Sequence, residues 1–138
     1  MSNEKIKVLL VDDQTMIRQG FSYVINLQDD LNLVGEASDG IEAIKLAKEK
    51  LPDVILMDIQ MPNLSGIDAT KEIMNQLPTT KIVILTTFDD QEYIYQGIRS
   101  GAVGFLLKDA EVEEMLDAIR SAHRGEAIFK TTLAANAL

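Results

Sequence analysis

The sequence predicts an α/β protein with a parallel β-sheet, and two patterns carry this prediction. Five short apolar runs recur at roughly even spacing, and the stretches after them have the periodicity of amphipathic helices. Regular alternation of strand and helix is typical of parallel sheets, in which each helix returns the chain to the starting edge. We therefore expect one α/β domain with helices on both faces of the sheet.

The five apolar runs are the candidate strands. Three of them are almost continuously apolar and rich in Val, Ile and Leu, which is typical of strands buried on both faces of a parallel sheet. The second run contains the polar Glu36 and is therefore expected at an edge of the sheet. In chain order the runs span Ile6–Val11, 33–37, 54–57, 81–85 and Gly104–Leu107.

Apolar residues at helical spacing follow each of the five runs. Asp39-Gly40 is expected as the entry turn of the second helix, Pro78 stops the third and Arg124-Gly125 closes the fifth. The predicted apolar faces, from the first helix to the fifth, are Ile17, Phe21, Val24 and Ile25; Ile41, Ile44, Ala47 and Leu51; Ile67, Thr70, Ile73 and Leu77; Ile94, Ile98 and Gly101; and Val112, Met115, Leu116, Ile119 and Ala122.

The commonest arrangement of five parallel strands covered on both faces has the order 2-1-3-4-5 and is called flavodoxin-like, or CheY-like. We predict this doubly wound sheet, with five helices, for residues 1–125. The pattern lapses after Gly125, so residues 126–138 are expected to begin a linker, with a helical turn at 133–138.

The composition excludes several classes of protein. Apolar residues make up 46 % of the 138 residues, enough for a hydrophobic core, so disorder is not expected. The lack of cysteine excludes disulfides and thiolate metal sites, and the lack of a long apolar segment predicts a cytoplasmic protein. The net charge of −9 opposes binding to a phosphate backbone. This acidity fits either a soluble surface or a cation site.

Chemically active side chains follow four of the five runs. Asp12 and Asp13 come after the first run, Asp58 after the third, Thr86 after the fourth and Lys108 after the fifth. Ligands bind beyond the carboxyl ends of the strands in an open parallel sheet, so we expect these groups to converge. Two carboxylates about 4 Å apart repel by roughly 4 kcal/mol at an effective dielectric of about 20, and either protons or a cation must relieve this repulsion. A hard, oxygen-ligated cation such as Mg²⁺ fits. The set predicts a phosphoryl-transfer site in which an Asp can be the covalent acceptor.

Each of these residues also has a purely structural interpretation. The alternatives, in chain order, are an N-cap at Asp12-Asp13, turn chemistry at Asp58 and Met61-Pro62-Asn63, a cap of the fourth helix by Thr86-Thr87 or Asp89, and a solvated charge at Lys108. The joint arrangement at four strand ends favours the functional interpretation. His123, on the last helix, is expected at the surface without a functional role.

Four motifs make the sequence similar to the receiver domain of two-component response regulators. They are LLVDD (9–13), DIQMPNLSG (58–66), ILTTF (84–88) and GFLLKD (104–109), and the resemblance runs from Lys5 to about Gly125. It implies a domain that promotes only its own phosphorylation and dephosphorylation and is otherwise not an enzyme. The residues implied are the phosphoacceptor Asp58; Mg²⁺ ligands Asp13, Asp58 and the backbone carbonyl of Gln60; Asp12 acting through metal-bound water; the phosphoryl-binding Thr86 and Lys108; and the switch residues Thr86 and Phe105.

Within this family the sequence resembles the NarL/LuxR class of transcription regulators. Asp109 follows Lys108 where many receivers have proline, and GEASDG (35–40) and TTFDD (86–90) add to the likeness. The class implies a sensor histidine kinase as donor, a homodimer on phosphorylation, and DNA binding only through a C-terminal helix-turn-helix domain. Since this chain ends at Leu138 without that domain, we expect the receiver part of a longer regulator. The alternative is a stand-alone receiver that signals by protein contact.

Two other classes with related folds fit the residues less well. A flavodoxin would need a Ser/Thr/Gly-rich phosphate loop after the first strand, where this chain has DDQTM (12–16). An aspartate-nucleophile phosphatase of the haloacid-dehalogenase type usually has a second Asp two residues after the first, and Gln60 occupies that place.

Overall fold

The computed structural model describes residues 4–87 and 91–129 of the chain. Strands and helices alternate along these residues as the sequence predicts. The strands are β1 (Ile6–Val11), β2 (Leu31–Ala37), β3 (Val54–Asp58), β4 (Lys81–Thr86), β5 (Gly104–Leu107) and β6 (Ile128–Phe129). The helices are α1 (Thr15–Asn26), α2 (Gly40–Lys50), α3 (Gly66–Gln76), α4 (Gln91–Ser100) and α5 (Val112–His123).

The strands lie parallel in one sheet with the order β2-β1-β3-β4-β5-β6. The predicted order 2-1-3-4-5 is confirmed, and β2 lies at an edge. Strand β6 was not predicted. It lies inside the segment assigned to a linker and pairs with Gly104 and Phe105 of β5. Two residues are too few for a strand pattern to be visible in the sequence. The helical turn expected at 133–138 lies outside the described residues.

The sheet separates two hydrophobic cores. Successive strand residues point to opposite faces, so Leu9 and Ile55 join one core while Leu10 and Leu56 join the other. Helices α2, α3 and α4 cover the first core, and α1 and α5 cover the second. Every residue of β3 is buried. Because both faces of the central strands are covered, polar chemistry is confined to the strand ends.

Four residues assigned to the apolar helix faces are exposed, and this part of the prediction is wrong. One is Gly101, which follows the last residue of α4. Ile41, Leu51 and Val112 are 59 %, 54 % and 44 % exposed. Leu51 is the C-cap of α2 in a left-handed conformation, and Val112 is the first residue of α5, so neither lies over the core. Small residues form the buried face of α2 instead, namely Gly40, Ala43 and Ala47.

The helix boundaries agree with the predicted start and stop signals. The Asp39 side chain caps α2 by accepting a hydrogen bond from the Glu42 N–H at 2.8 Å. Helix α3 ends before Pro78, and α5 ends before Gly125, whose φ of +83° favours glycine. Within residues 4–87 and 91–129, no helix combines the length and hydrophobicity needed to cross a membrane.

Candidate functional site

The groups predicted to form the site lie beyond the carboxyl ends of four adjacent strands. Asp58 and Thr86 are the last residues of β3 and β4, while Asp12 follows β1 and Lys108 follows β5. These four strands are consecutive in the sheet, so their ends are neighbours. The sheet topology therefore assembles the site from distant parts of the sequence.

Asp12, Asp13 and Asp58 form an acidic cluster in which one carboxylate oxygen of each residue lies within 4.8 Å of the others. Asp12 and Asp58 are 0 % and 4 % exposed, whereas Asp13 is exposed to solvent. Buried carboxylates this close repel each other unless a proton or a cation compensates the charge. The convergence expected from the sequence is present.

Lys108 supplies part of that compensation. Its side chain is only 6 % exposed, and its ammonium lies 3.1 Å from Asp12 Oδ2 and 3.0 Å from Asp58 Oδ2. A third contact joins the ammonium to the side-chain oxygen of Gln14 at 2.5 Å. The alternative of a solvated charge at Lys108 is therefore wrong.

Two oxygens of the acidic cluster remain without a hydrogen bond among the described residues, namely Oδ2 of Asp12 and Oδ2 of Asp58. The Lys108 ammonium lies at ion-pair distance from both, but neither contact has hydrogen-bond geometry. Buried acceptors of this kind are costly until a donor or a cation satisfies them. Clustered carboxylates suit a hard cation, and Mg²⁺ needs only one or two of them. The residues present therefore fit Mg²⁺.

The N-cap interpretation of Asp12 and Asp13 is wrong, because Gln14 is the N-cap of α1. Asp12 Oδ1 accepts a hydrogen bond from the Gln14 N–H at 2.8 Å, and the Arg18 guanidinium donates to the Asp12 carbonyl at 2.6 Å. Arg18 also forms an ion pair with Glu36 of β2 at 3.3 Å. Neither Gln14 nor Arg18 was predicted as a site residue, because their only signal in the sequence is their position soon after the acidic pair.

The loop between β3 and α3 connects the site to α4. Asp58 Oδ1 accepts a hydrogen bond from the N–H of Ile59 at 2.8 Å, so local turn chemistry coexists with the acidic cluster. The exposed Gln60 donates from its side-chain amide to the Tyr93 hydroxyl of α4 at 2.8 Å. A cavity of about 520 Å³ lies beside this contact, between the loop and helices α3 and α4. The sequence contained no signal for Tyr93.

The two residues expected to act as a switch are buried. Thr86 is 2 % exposed, and its carbonyl accepts a hydrogen bond from the Lys108 N–H at 2.9 Å. The Phe105 ring is 0 % exposed. It lies against Gly97 of α4, where a methyl group would come within 2.6 Å of it.

Two further expectations concern the start of α4 and the end of α5. The suggestion that Thr86-Thr87 or Asp89 caps α4 cannot be followed to the helix, since residues 88–90 lie outside the described residues. His123 is the last residue of α5 and is exposed, as predicted.

The pKa of Asp58 is raised from 3.8 to about 7, chiefly by burial and then by the charge of Asp12, against the opposing effect of Lys108. A carboxylate that is half protonated at neutral pH is strongly perturbed, which is typical of functional sites. A cation bound at the cluster would favour the ionised form, because it replaces the missing positive charge.

Asp58→Asn is expected to stabilise the metal-free protein at pH 8, because it removes the buried charge. The fold raises the Asp58 pKa above its unfolded value of 3.8, so the stability contributed by protonation is lost as pH rises through about 7. We expect the variant to gain about 1–2 kcal/mol at pH 8, after allowing for its lost contact with Lys108. The gain should shrink towards pH 5. Urea unfolding in the presence of a chelator measures the gain in stability at pH 8 and at pH 5. A gain that grows on acidification would contradict a raised pKa at Asp58.

Comparisons with known proteins agree with the geometry. The family model described as the response regulator receiver domain matches residues 8–120. The uncharacterized transcriptional regulatory protein YxjL of Bacillus subtilis is 62 % identical over 98 % of this chain. The transcriptional regulatory protein LiaR of the same organism is 44 % identical over 96 % of it. The signal receiver domain of NarL from Mycobacterium tuberculosis superposes with a TM-score of 0.86 at 34 % identity, covering 89 % of this chain and 99 % of that domain.

The curated relatives are longer than this chain. The matched region covers 62 % of YxjL and 63 % of LiaR, so the chain spans about three fifths of their length. It covers nearly the whole of the solved NarL domain. The similarity therefore concerns the receiver domain.

Proposed function

The chain belongs to the response regulator receiver domain family, and from that membership we propose that it accepts a phosphoryl group on Asp58 from a sensor histidine kinase. One observation carries the proposal: a buried carboxylate at the end of β3 lies 3.0 Å from a buried ammonium, within an acidic cluster. Asp58 is the proposed acceptor because it ends the central strand β3 next to Lys108, at the position where the receiver family has its phosphoacceptor.

In the proposed reaction, one Asp58 carboxylate oxygen attacks the phosphorus of a phosphohistidine. The oxygen–phosphorus bond forms as the nitrogen–phosphorus bond breaks, and the imidazole keeps the electron pair and takes up a proton. Lys108, already beside Asp58, stabilises the charge on the phosphoryl oxygens. Positioning and electrostatics account for most of the catalysis in this type of transfer. The product is an acyl phosphate on Asp58.

Asp13, Asp58 and the Gln60 carbonyl would hold Mg²⁺, with Asp12 acting through a metal-bound water. When bound, the ion supplies the positive charge that lets Asp58 ionise and that offsets the charge of the transferred group. The exposure of Asp13 and the engagement of Asp12 with Lys108 support this division of roles.

Phosphorylation is expected to require a divalent cation, and Asp13→Asn should weaken Mg²⁺ binding more than Asp12→Asn. Only Asp13 is proposed to touch the ion directly, so its loss removes a ligand, while Asp12→Asn retains an oxygen that can bind the same water. Isothermal titration with Mg²⁺ compares the two variants, and acetyl phosphate with and without a chelator tests the requirement. Equal Mg²⁺ affinities would contradict the division of roles, and transfer in the presence of the chelator would contradict the requirement.

We further propose that the acyl phosphate shifts the domain towards a state that forms a homodimer. The phosphoryl group adds negative charge and hydrogen-bond acceptors, to which the Thr86 hydroxyl would donate. Reversing a 1:99 equilibrium needs about 5.5 kcal/mol of differential interaction. Two charge-assisted hydrogen bonds at about 1.5–3 kcal/mol each are of that size. Since Phe105 is already packed inside, the bond to Thr86 would stabilise this packed position rather than create it.

Thr86→Ala is expected to leave phosphorylation nearly intact and to prevent phosphorylation-dependent dimerisation. The hydroxyl is proposed to report the phosphoryl group rather than to help transfer it, so only the coupling should be lost. Sedimentation velocity of the phosphorylated variant measures this. Thr79→Ala, at an exposed position before β4, is the matched control and should dimerise like the wild type. A phosphorylated Thr86→Ala protein that dimerises normally would refute the role of Thr86.

We propose that the whole regulator is a cytoplasmic NarL/LuxR-type protein that binds DNA through a C-terminal helix-turn-helix domain. The names of YxjL and LiaR as transcriptional regulatory proteins, and their greater length, support this. The net charge of −9 argues against DNA binding by these 138 residues alone. A stand-alone receiver that signals by protein contact is the second candidate, and the length of the reading frame behind Leu138 distinguishes the two.

A further inference from the structure

Gln14 occupies the N-cap of α1 without capping the helix. Its backbone is extended, with φ −85° and ψ 107°, and its carbonyl accepts the first helical hydrogen bond, from the Arg18 N–H at 3.0 Å. Its side chain makes no cap hydrogen bond. Ser, Thr, Asp and Asn are preferred at this position, because their short side chains reach the free N–H groups of the first turn. Helix α1 therefore lacks a stabilising contact that a different residue would provide.

The Gln14 side chain contacts Lys108 instead. Its Oε1 lies 2.5 Å from the ammonium of Lys108, which follows β5 and is 94 residues away in sequence. An ammonium has three donors, and three residues surround this one, namely Asp12, Asp58 and Gln14. The Lys108 side chain is 6 % exposed, so little room remains for water to replace any of them.

Hydrogen bonds fix both backbone polar groups of Gln14. Its N–H donates to Asp12 Oδ1 at 2.8 Å, and its carbonyl is bound by α1. Arg18 anchors the same turn by donating to the Asp12 carbonyl at 2.6 Å. Gln14 is also neutral, so it holds the ammonium without adding a fourth negative charge to the acidic cluster.

We propose that Gln14 is a positioning residue for Lys108 in phosphoryl transfer, an inference that rests on the proposed function of Asp58. The lysine chain is flexible, and its point charge acts on the transferring group only from the right position. Gln14 accepts a hydrogen bond from the ammonium and thereby holds the charge beside Asp12 and Asp58. The poor cap at the start of α1 is the structural cost of this contact.

Gln14→Ser separates the two effects, because serine can cap α1 but cannot reach Lys108. We expect its melting temperature to rise by about 2–4 °C, while its rate of phosphorylation by acetyl phosphate at saturating Mg²⁺ falls about 3- to 10-fold. Gln14→Ala, which neither caps nor reaches Lys108, should show the same rate loss without the gain in stability. Mg²⁺ affinity should not change in either variant.

The loss should disappear in a Lys108→Ala background, where Gln14 has no ammonium to orient. Wild-type rates in both Gln14 variants would overturn the inference, as would an equal loss with and without Lys108. Failure of the wild type to be phosphorylated on Asp58 would instead overturn the proposed function. A protein that is phosphorylated normally but is insensitive to Gln14 refutes this inference alone.

Discussion

Asp58→Ala is expected to abolish acceptance of a phosphoryl group from acetyl phosphate. The variant keeps Asp12, Asp13 and Lys108, so the electrostatic environment remains but the nucleophile is gone. Asp12 is not an equivalent substitute, because it follows β1 at a different strand end, whereas Asp58 is the last residue of β3. Intact-mass spectrometry after incubation with Mg²⁺ and the donor should show no added phosphoryl group.

The matched control for this variant is Asp117→Ala, which removes an exposed carboxylate from α5. It should accept one phosphoryl group at the wild-type rate. One added phosphoryl group on Asp58→Ala would disprove the assignment of the acceptor.

Gly66→Ala is expected to lower the free energy of unfolding by about 3 kcal/mol, at the upper end of the usual range for overpacking. A methyl group at this position would lie 1.7 Å from the Asp58 carbonyl oxygen and 3.0 Å from the Met57 side chain. The obstacle is backbone, so the loop between β3 and α3 must move, and the Gly66 hydrogen bond to the Ile59 carbonyl would be strained. Urea unfolding measures the loss.

Gly20→Ala is the matched control, because the same methyl group would meet nothing within 4 Å on the exposed side of α1. Alanine is favoured over glycine in a helix, so this variant should gain about 0.5–1 kcal/mol. If Gly66→Ala is as stable as the wild type, the close approach of Gly66 to Asp58 is not a feature of the folded protein.

The fold was largely predictable because its determinants are local and periodic. Buried parallel strands appear as continuous apolar runs, and the crossover rule then allows few topologies. The exposed Ile41 and Leu51 show the limit of periodicity, since the buried face of α2 consists of small residues that carry a weak apolar signal. β6 escaped prediction because a two-residue strand has no pattern.

The site was predictable where its residues end strands, and not where they lie on helices or loops. Asp58 and Lys108 could be found because parallel strand ends must meet. Gln14, Arg18 and Tyr93 reach the site by side-chain contacts that depend on how α1 and α4 pack. Such contacts produce no recognisable pattern of residue spacing in the sequence. The buried position of Phe105 was likewise decided by packing, through the space that Gly97 leaves.

Identification of the modified residue in the wild-type protein tests the central claim most directly. The protein would be phosphorylated with acetyl phosphate and Mg²⁺ and treated with borohydride, which reduces an acyl phosphate to an alcohol and so marks the acceptor permanently. Peptide mass spectrometry then locates the reduced residue. The account predicts a single homoserine at position 58. Reduction at Asp12 or Asp13, or a phosphoryl group that survives borohydride on another residue, would contradict it.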